Sequence, residues 1–154
     1  MEKNILVYKT TEKSNISAIF HYEHQKEMKL PLFSSKVYAG SPSEVSDHVE
    51  KRTDLNSLVI KNPASTFFVT VSGDSMINSN INHNDLLIID ASIKDVLNKI
   101  VVASIDSDIT LKRLKKINDK IYLCPENDNY APIEVKPHSN FEILGVALAS
   151  LHYL

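Results

Sequence analysis

After residue 66 the chain consists of short, mostly apolar segments, which are separated by polar turn residues. Runs of about four to eight residues rich in Val, Ile, Thr and Phe are typical of strands. We therefore predict strands at 67–71, 86–90, 100–106, 109–115, 120–124, 132–135 and 141–149. With no long helices between them, these segments predict a mostly β protein with a folded-over, barrel-like antiparallel sheet.

A different pattern precedes the strands. The sequence Ser-Pro-Ser-Glu at 41–44 is a capping box, and the apolar residues that follow it predict a short N-terminal helix over about 42–52. Asp54 is predicted to cap a further helical turn, which Pro63 ends.

Residues 1–39 contain no glycine and no long apolar stripe of helical period. We predict an extended, loosely held N-terminal arm with one short strand near 5–9. His21 and His24 have a spacing that fits a metal ion, but no Cys cluster or further ligand accompanies them, so we predict surface histidines and no metal site.

Composition narrows the class of protein. A chain of 154 residues with 43% apolar and 23% charged residues fits one soluble domain. No apolar run approaches the roughly 20 residues that span a bilayer, and no signal peptide is recognisable, so we expect a cytoplasmic protein without membrane contact. Cys124 is the only cysteine and is predicted to be a buried thiol.

The net charge of −2 gives no sign of a nucleic-acid footprint, and we predict no direct sequence-specific DNA binding. The one basic cluster lies at 112–116. It fits either a phosphate contact or the outward face of a strand and its turn, and we prefer the second reading for all of it except Lys112.

The stretch from 67 to 90 carries the candidate chemistry. Its order is strand, tight turn at Ser-Gly-Asp, exposed Ser75, polar loop and second strand. Gly73 lets the backbone turn sharply just before the serine. A nucleophile and an ordinary turn serine both fit this pattern.

A serine nucleophile needs a base, and histidine is the usual one. His83 is the only histidine near this loop, and neither an orienting aspartate nor a Gly-x-Ser-x-Gly elbow accompanies it. The other candidate base is a lysine whose charged form is disfavoured by burial.

Alternation along 109–115 places Thr110 and Lys112 on the same face of a strand as a leucine, which indicates an inward lysine. A neutral Lys112 can accept the Ser75 proton, and the backbone N–H groups of Asp74 and Ser75 can hold the developing oxyanion. A solvent-facing Lys112 is the alternative.

Several segments in order resemble the LexA/UmuD family of self-cleaving Ser/Lys proteases. They are Pro-Leu-Phe-Ser at 31–34, Asp-Leu-Asn at 54–56, 71–77, 84–90, Thr-Leu-Lys at 110–112, Pro-Glu-Asn at 125–127 and 130–133. The resemblance covers about residues 30–147 and implies the LexA/UmuD-like fold.

The resemblance assigns the nucleophile to Ser75 and the general base to Lys112. It places the scissile bond at Ala39-Gly40, so the domains are an arm of residues 1–39, removed by self-cleavage, and a protease domain of residues 40–154. Alanine before this glycine is typical of LexA-type repressors, whereas UmuD proteins often have cysteine there. The supporting residues of the site are Val37, Met76 and Thr110.

The resemblance also implies a function. In the family, a RecA filament on single-stranded DNA favours docking of the arm into the active site of the same or a partner subunit. The 39 residues before the cut lack two periodic helices for a helix-turn-helix domain, which favours the UmuD branch. The expectation is a homodimer without cofactor whose processed form joins a UmuC-like DNA polymerase for translesion synthesis in the SOS response.

Two other functions fit the sequence. One is a non-proteolytic module of the same fold that acts as a repressor or binds RecA. The other is a signal-peptidase-like enzyme that cuts other chains with the same chemistry, which the missing membrane anchor disfavours.

Overall fold

The structure, a computed structural model, describes residues 16–21, 27–33 and 49–154. These residues belong to two compact units. The larger contains 16–21 and 62–154, and the smaller contains 27–33 and 49–61.

Strands dominate the described residues. In chain order they are β1 (Ile16–His21), β2 (Lys29–Phe33), β3 (Val49–Asp54), β4 (Thr66–Val71), β5 (Leu86–Asp90), β6 (Ile100–Ile105), β7 (Asp108–Ile117), β8 (Lys120–Cys124), β9 (Ile133–Val135) and β10 (Phe141–Leu151). The described helices are α1 (Leu55–Val59) and two 3₁₀ turns, Pro63–Ser65 and Ile77–Ser79.

The larger unit is built on one antiparallel sheet in the order β1-β4-β5-β10-β6-β7-β8-β9. Its first strand, β1, also comes near β7, which lies sixth in the order. The sheet therefore folds over on itself, and the predicted mostly β, barrel-like fold is confirmed.

The seven strands predicted from the hydrophobic pattern are all present, and their ends agree within two residues. Two hairpins connect β6, β7 and β8. Asp106 and Ser107 have φ of 50° and 75°, and Asn118 and Asp119 have 48° and 62°. Positive φ at both central residues is what the two-residue type I′ turn requires, which explains the polar residues in these turns.

In the smaller unit, β2 and β3 pair antiparallel and α1 follows. The predicted cap at Asp54 is confirmed, because its side chain accepts a hydrogen bond from the Asn56 N–H at 3.3 Å. The predicted helix over 42–52 is wrong at residues 49–52, which lie in β3. Pairing with β2 satisfies the backbone of these residues and overrides the local signal. The capping box at 41–44 lies outside the described residues.

One described segment of the arm differs from the prediction. Residues 16–21 form β1 and pair with β4, although the prediction for this region was a loosely held chain. His21 lies in β1, while His24 and the strand predicted near 5–9 lie outside the described residues. The signal was missed because an edge strand depends on the open edge it joins, which its own sequence does not reveal.

Two apolar clusters fill the larger unit. One contains Val69, Val71, Met76, Ile81, Leu87, Ile89, Val102 and Leu111, and the other contains Val101, Ala103, Ile105, Leu114, Leu123 and Val146. Cys124 is buried as a free thiol, as predicted. Strand β7 contributes to both clusters, so both of its faces are buried along its middle.

Gly145 is required where β10 passes β5. A Cβ at this position would lie 2.6 Å from Ile89 Cγ2 and 3.1 Å from the Asp90 carbonyl oxygen. The pairing of β10 with β6 shifts register between Ile143 and Gly145, so the close approach coincides with a bulge.

Gly145→Ala is expected to lower the free energy of unfolding by about 1–3 kcal/mol, because the added methyl group overpacks the β5–β10 contact. Urea unfolding measures this change. Glu142→Ala, an exposed position on the same strand, should change stability by less than about 0.5 kcal/mol. Equal midpoints for the two variants would contradict the overpacking argument.

Candidate active site

Ser75 lies in the loop that connects β4 to β5, residues 72–85, which we call the serine loop. Gly73 has φ of 89°, a left-handed conformation that glycine adopts without strain, and its N–H donates to His83 Nδ1 at 3.2 Å. Met76 is 1% exposed and belongs to the core, so the loop is anchored beside Ser75. The prediction of an exposed serine is wrong, since Ser75 is only 4% exposed.

Lys112 points into the protein from the middle of β7. It is 5% exposed and pairs across the sheet with the fully buried Val101. Its Nζ donates to Ser75 Oγ at 2.9 Å, to Thr110 Oγ1 at 3.1 Å and to the Leu111 carbonyl oxygen at 3.0 Å. The inward lysine predicted from strand alternation is confirmed, and the fold brings it to a serine 37 residues away.

Burial lowers the pKa of Lys112 from its ordinary value of 10.5 to about 8. The cause is the loss of hydration, which penalises the ammonium form. At pH 7 about a tenth of the amine is therefore uncharged and has a lone pair, and the neutral fraction reaches about half at pH 8. In that form the amine can accept the hydroxyl proton of Ser75, which is already within hydrogen-bond distance.

Glu126, which follows β8, binds the serine loop through its backbone. Its N–H donates to the Ser75 carbonyl oxygen at 2.8 Å, and its carbonyl oxygen accepts from the Asn78 N–H at 2.8 Å. Arg113, the neighbour of Lys112, donates from Nε to the Glu126 carboxylate and from a guanidinium nitrogen to Ser79 Oγ at 3.3 Å. Strand β7 thus carries the buried amine on one face and fixes the serine loop from the other.

The sequence pattern does not predict this contact, because it favours an outward-facing Arg113 within the basic cluster. The structure corrects that assignment, since Arg113 is half-buried and paired with Glu126. A signal was available in the hairpin register. Arg113 lies opposite Cys124, two residues before Glu126, so the predicted strands already bring the two charges together.

Asp74, whose N–H is a predicted oxyanion donor, is fixed by residues 127–130. Asn127 Nδ2 donates to the Asp74 carbonyl oxygen at 3.0 Å, and the Tyr130 hydroxyl donates to the Asp74 carboxylate. That contact raises the pKa of Tyr130, because the hydrogen bond and the negative charge of Asp74 both favour the protonated phenol. The peptide preceding Ser75 is therefore held in one orientation.

The structure brings together five of the predicted site residues, namely Asp74, Ser75, Met76, Thr110 and Lys112. The predicted cleavage site at Ala39 and Gly40, and the supporting Val37, lie outside the described residues. The catalytic roles, the oxyanion donors and the cleavage site stay predictions.

Within 16–21, 27–33 and 49–154, no group of three or more His, Cys, Asp or Glu side chains is arranged to hold a metal ion. The helices in the same residues are too short or too polar to cross a membrane.

Residues 31–148, which include Ser75 and Lys112, match the profile of the Peptidase S24-like family. The chain belongs to this family. The resemblance to the LexA/UmuD proteins is thereby confirmed at the level of the family. Membership in the S24-like family supports a self-cleaving serine peptidase of the LexA/UmuD kind, related to proteins of the SOS response.

Chains similar to this one come from several bacteria. Protein SamA of Salmonella typhimurium is 37% identical over 122 residues, which cover 79% of this chain and 84% of SamA. The LexA repressor of Glaesserella parasuis is 42% identical over 79% of this chain and 58% of the repressor. Protein ImpA of Escherichia coli is 44% identical over 54% of this chain and 58% of ImpA. The chain thus matches less than two thirds of the LexA repressor and of ImpA.

The buried amine predicts a pH-dependent stability. Between pH 8 and 10.5 the unfolded chain keeps the Lys112 proton that the folded chain has lost, so raising the pH favours the folded state. The free energy of unfolding of the chain minus that of its Lys112→Met variant should rise by about 3 kcal/mol from below pH 8 to above pH 10. Urea unfolding at each pH measures this difference.

Both chains in that comparison carry Ser75→Ala, so that no self-cleavage intervenes. Lys115→Met on the same strand makes the same change at a less buried side chain and reports the loss of one positive charge alone. A stability difference that stays constant across the window would contradict a depressed pKa at Lys112.

Proposed function

We propose that this chain cuts its own backbone between Ala39 and Gly40, with Ser75 as the nucleophile and Lys112 as the general base. The observation that carries this proposal is the buried contact of 2.9 Å between Lys112 Nζ and Ser75 Oγ. A lysine amine buried against a serine hydroxyl has no need of a histidine, because burial alone makes its neutral form available.

The chemistry follows from these positions. The Lys112 amine accepts the Ser75 proton as Oγ bonds to the carbonyl carbon of Ala39, and the negative charge moves to the carbonyl oxygen. The Lys112 ammonium then donates its proton to the Gly40 nitrogen as the peptide bond breaks. A water molecule, deprotonated by Lys112, hydrolyses the acyl-serine and restores the Ser75 hydroxyl.

The oxyanion is held by the backbone N–H groups of Asp74 and Ser75. Support for this role comes from Asn127 and Tyr130. Asn127 binds the Asp74 carbonyl and so orients the peptide that carries the Ser75 N–H, and Tyr130 holds the Asp74 side chain before any charge develops. Donors that are already oriented stabilise a transition state without a cost of reorganisation.

Thr110 is proposed as a positioning residue. Its Oγ1 accepts a hydrogen bond from Lys112 Nζ at 3.1 Å, and the Leu111 carbonyl accepts another at 3.0 Å. These two acceptors keep the amine aimed at Ser75 during both proton transfers.

The substrate is part of the same chain, which explains how one amine and one hydroxyl suffice. Tethering raises the effective concentration of the cleavage segment far above that of a free peptide. Gly40 lets the segment bend after the scissile bond, and Val37 supplies the apolar side chain that the family has two positions before the alanine.

We further propose that the chain is of the UmuD type and acts in the SOS response. A RecA filament on single-stranded DNA would stimulate the cut, and residues 40–154 would serve as a homodimeric accessory subunit of a UmuC-like translesion polymerase. The support is the resemblance of residues 30–147 to the UmuD branch and the similarity to SamA over most of its length.

The test is the intact mass of the purified chain after incubation with RecA, single-stranded DNA and a slowly hydrolysed ATP analogue. A product that begins at Gly40 is expected, and Ser75→Ala should slow its formation at least about a thousandfold. Ser72→Ala, the same change in the same loop, should leave the rate nearly unchanged. Cleavage that persists in Ser75→Ala would exclude Ser75 as the nucleophile, and no cleavage of the natural chain would favour a non-proteolytic module.

The rate of spontaneous cleavage should follow the neutral fraction of Lys112. It is expected to rise about tenfold per pH unit below pH 8 and to level off about one unit above it, because the pKa of the buried amine is about 8. The rate of product formation from pH 6 to 10.5 measures this profile. A flat rate from pH 6 to 8, or one that keeps rising through pH 10, would contradict a buried lysine base.

A further inference from the structure

Strand β1 occupies one end of the eight-stranded sheet and covers the edge of β4. The pairing runs from Ile16 opposite Val71 to His21 opposite Phe67, with one irregularity near the start. Strand β4 leads directly into the serine loop, so the first pair lies only four residues before Ser75. Strand β1 also comes near β7, which carries Lys112.

The backbone of β4 shows which groups face β1. The Val71 N–H donates to the Asp85 carbonyl at 2.9 Å, and the Val71 carbonyl accepts from the Asn84 N–H at 2.9 Å, so both groups of Val71 point toward β5. Backbone groups alternate in direction along an antiparallel strand. Those of Thr70 and Phe68 therefore point away from β5, toward β1.

The register places Ala18 opposite Thr70 and Phe20 opposite Phe68. By the same alternation these are the hydrogen-bonded pairs of the β1–β4 ladder. Both Thr70 and Phe68 have interaction partners in the structure. Strand β1 thus satisfies the outward polar groups of β4, which would otherwise form an open sheet edge.

We propose that the β4 edge is a binding site for the segment Ile16–His21, and that this segment stays bound after the chain is cut. The proposal rests on the proposed cut at Ala39-Gly40, which lies eighteen residues beyond His21. The product is then a two-chain complex of residues 1–39 with residues 40–154, in which Ile16–His21 remains paired with β4.

Two features make retention the expected result. The contact is a main-chain ladder, the kind of bonding by which extended peptides bind sheet edges in trans. In addition, β1 and β4 belong to one compact unit, so their pairing does not depend on the peptide bond that is cut. The cut removes the tether and its effective concentration, but leaves the ladder itself unchanged.

The retention test separates this inference from the proposed function. A recognition sequence for a site-specific protease is inserted between Ala39 and Gly40 of the Ser75→Ala chain, and the added protease makes the cut. Denaturing mass spectrometry should show two fragments, while native mass spectrometry at micromolar protein should show one complex of both. Separation of the fragments under native conditions would overturn the inference, whether or not the natural chain cuts itself.

A pair of variants tests the ladder. Ala18→Pro removes the N–H that faces Thr70, whereas Ala18→Ser keeps it and changes the side chain little. The β2–β3 ladder also joins the two fragments, and it is the same in both variants, so the difference between them reports β1. Retention of the cut arm should be about tenfold weaker or worse in Ala18→Pro and nearly unchanged in Ala18→Ser. Equal retention in the two variants would overturn the inference.

Hydrogen exchange in the uncut chains distinguishes a local loss of the β1–β4 pairing from a general effect of the proline on folding. The amides of Thr70 and Phe68 should exchange faster in Ala18→Pro than in Ala18→Ser, while the amide of the core residue Leu87 keeps its protection in both. Equal protection of Thr70 and Phe68 in the two variants would show that β1 is not bonded there and would overturn the inference.

Discussion

The burial of one amine is the interaction around which this structure is arranged. Lys112 lies opposite the fully buried Val101 and two residues before the buried Leu114, where a charged group is costly. The protein meets that cost with three oxygen acceptors and a lowered pKa, and within the described part of the chain no carboxylate contacts the amine. A carboxylate there would stabilise the ammonium form and remove the lone pair.

The same strand that buries the amine also secures its partner. Arg113 points to the opposite face of β7 from Lys112 and binds Glu126, whose backbone holds Ser75 and Asn78. The distance between the amine and the hydroxyl is therefore set by connections on both faces of one strand. Two side chains keep a fixed distance best when they lie on rigid elements and further hydrogen bonds hold their neighbours, and both conditions are met here.

Much of this arrangement could be predicted from the sequence, because its parts leave local signals. The alternation that places Thr110 and Lys112 on one face is a property of a single strand. The turn before Ser75 is likewise visible in the local sequence, through Gly73. The contacts that were missed are those between distant segments. The pairing of β3 with β2 and the addition of β1 to β4 each depend on a partner strand that the local sequence does not identify.

The two type I′ hairpins at either end of β7 fix which of its residues face the serine. Side chains alternate between the two faces of a strand. One residue inserted at Asp106-Ser107 or Asn118-Asp119 can shift the pairing of β7 by one position. Such a slip would exchange the faces of Lys112 and Arg113, turning the guanidinium toward the serine and the amine toward Glu126. The lengths of these two turns therefore matter to the Ser75–Lys112 contact as much as the identity of the lysine does. An insertion that changes neither residue can still separate the amine from the hydroxyl.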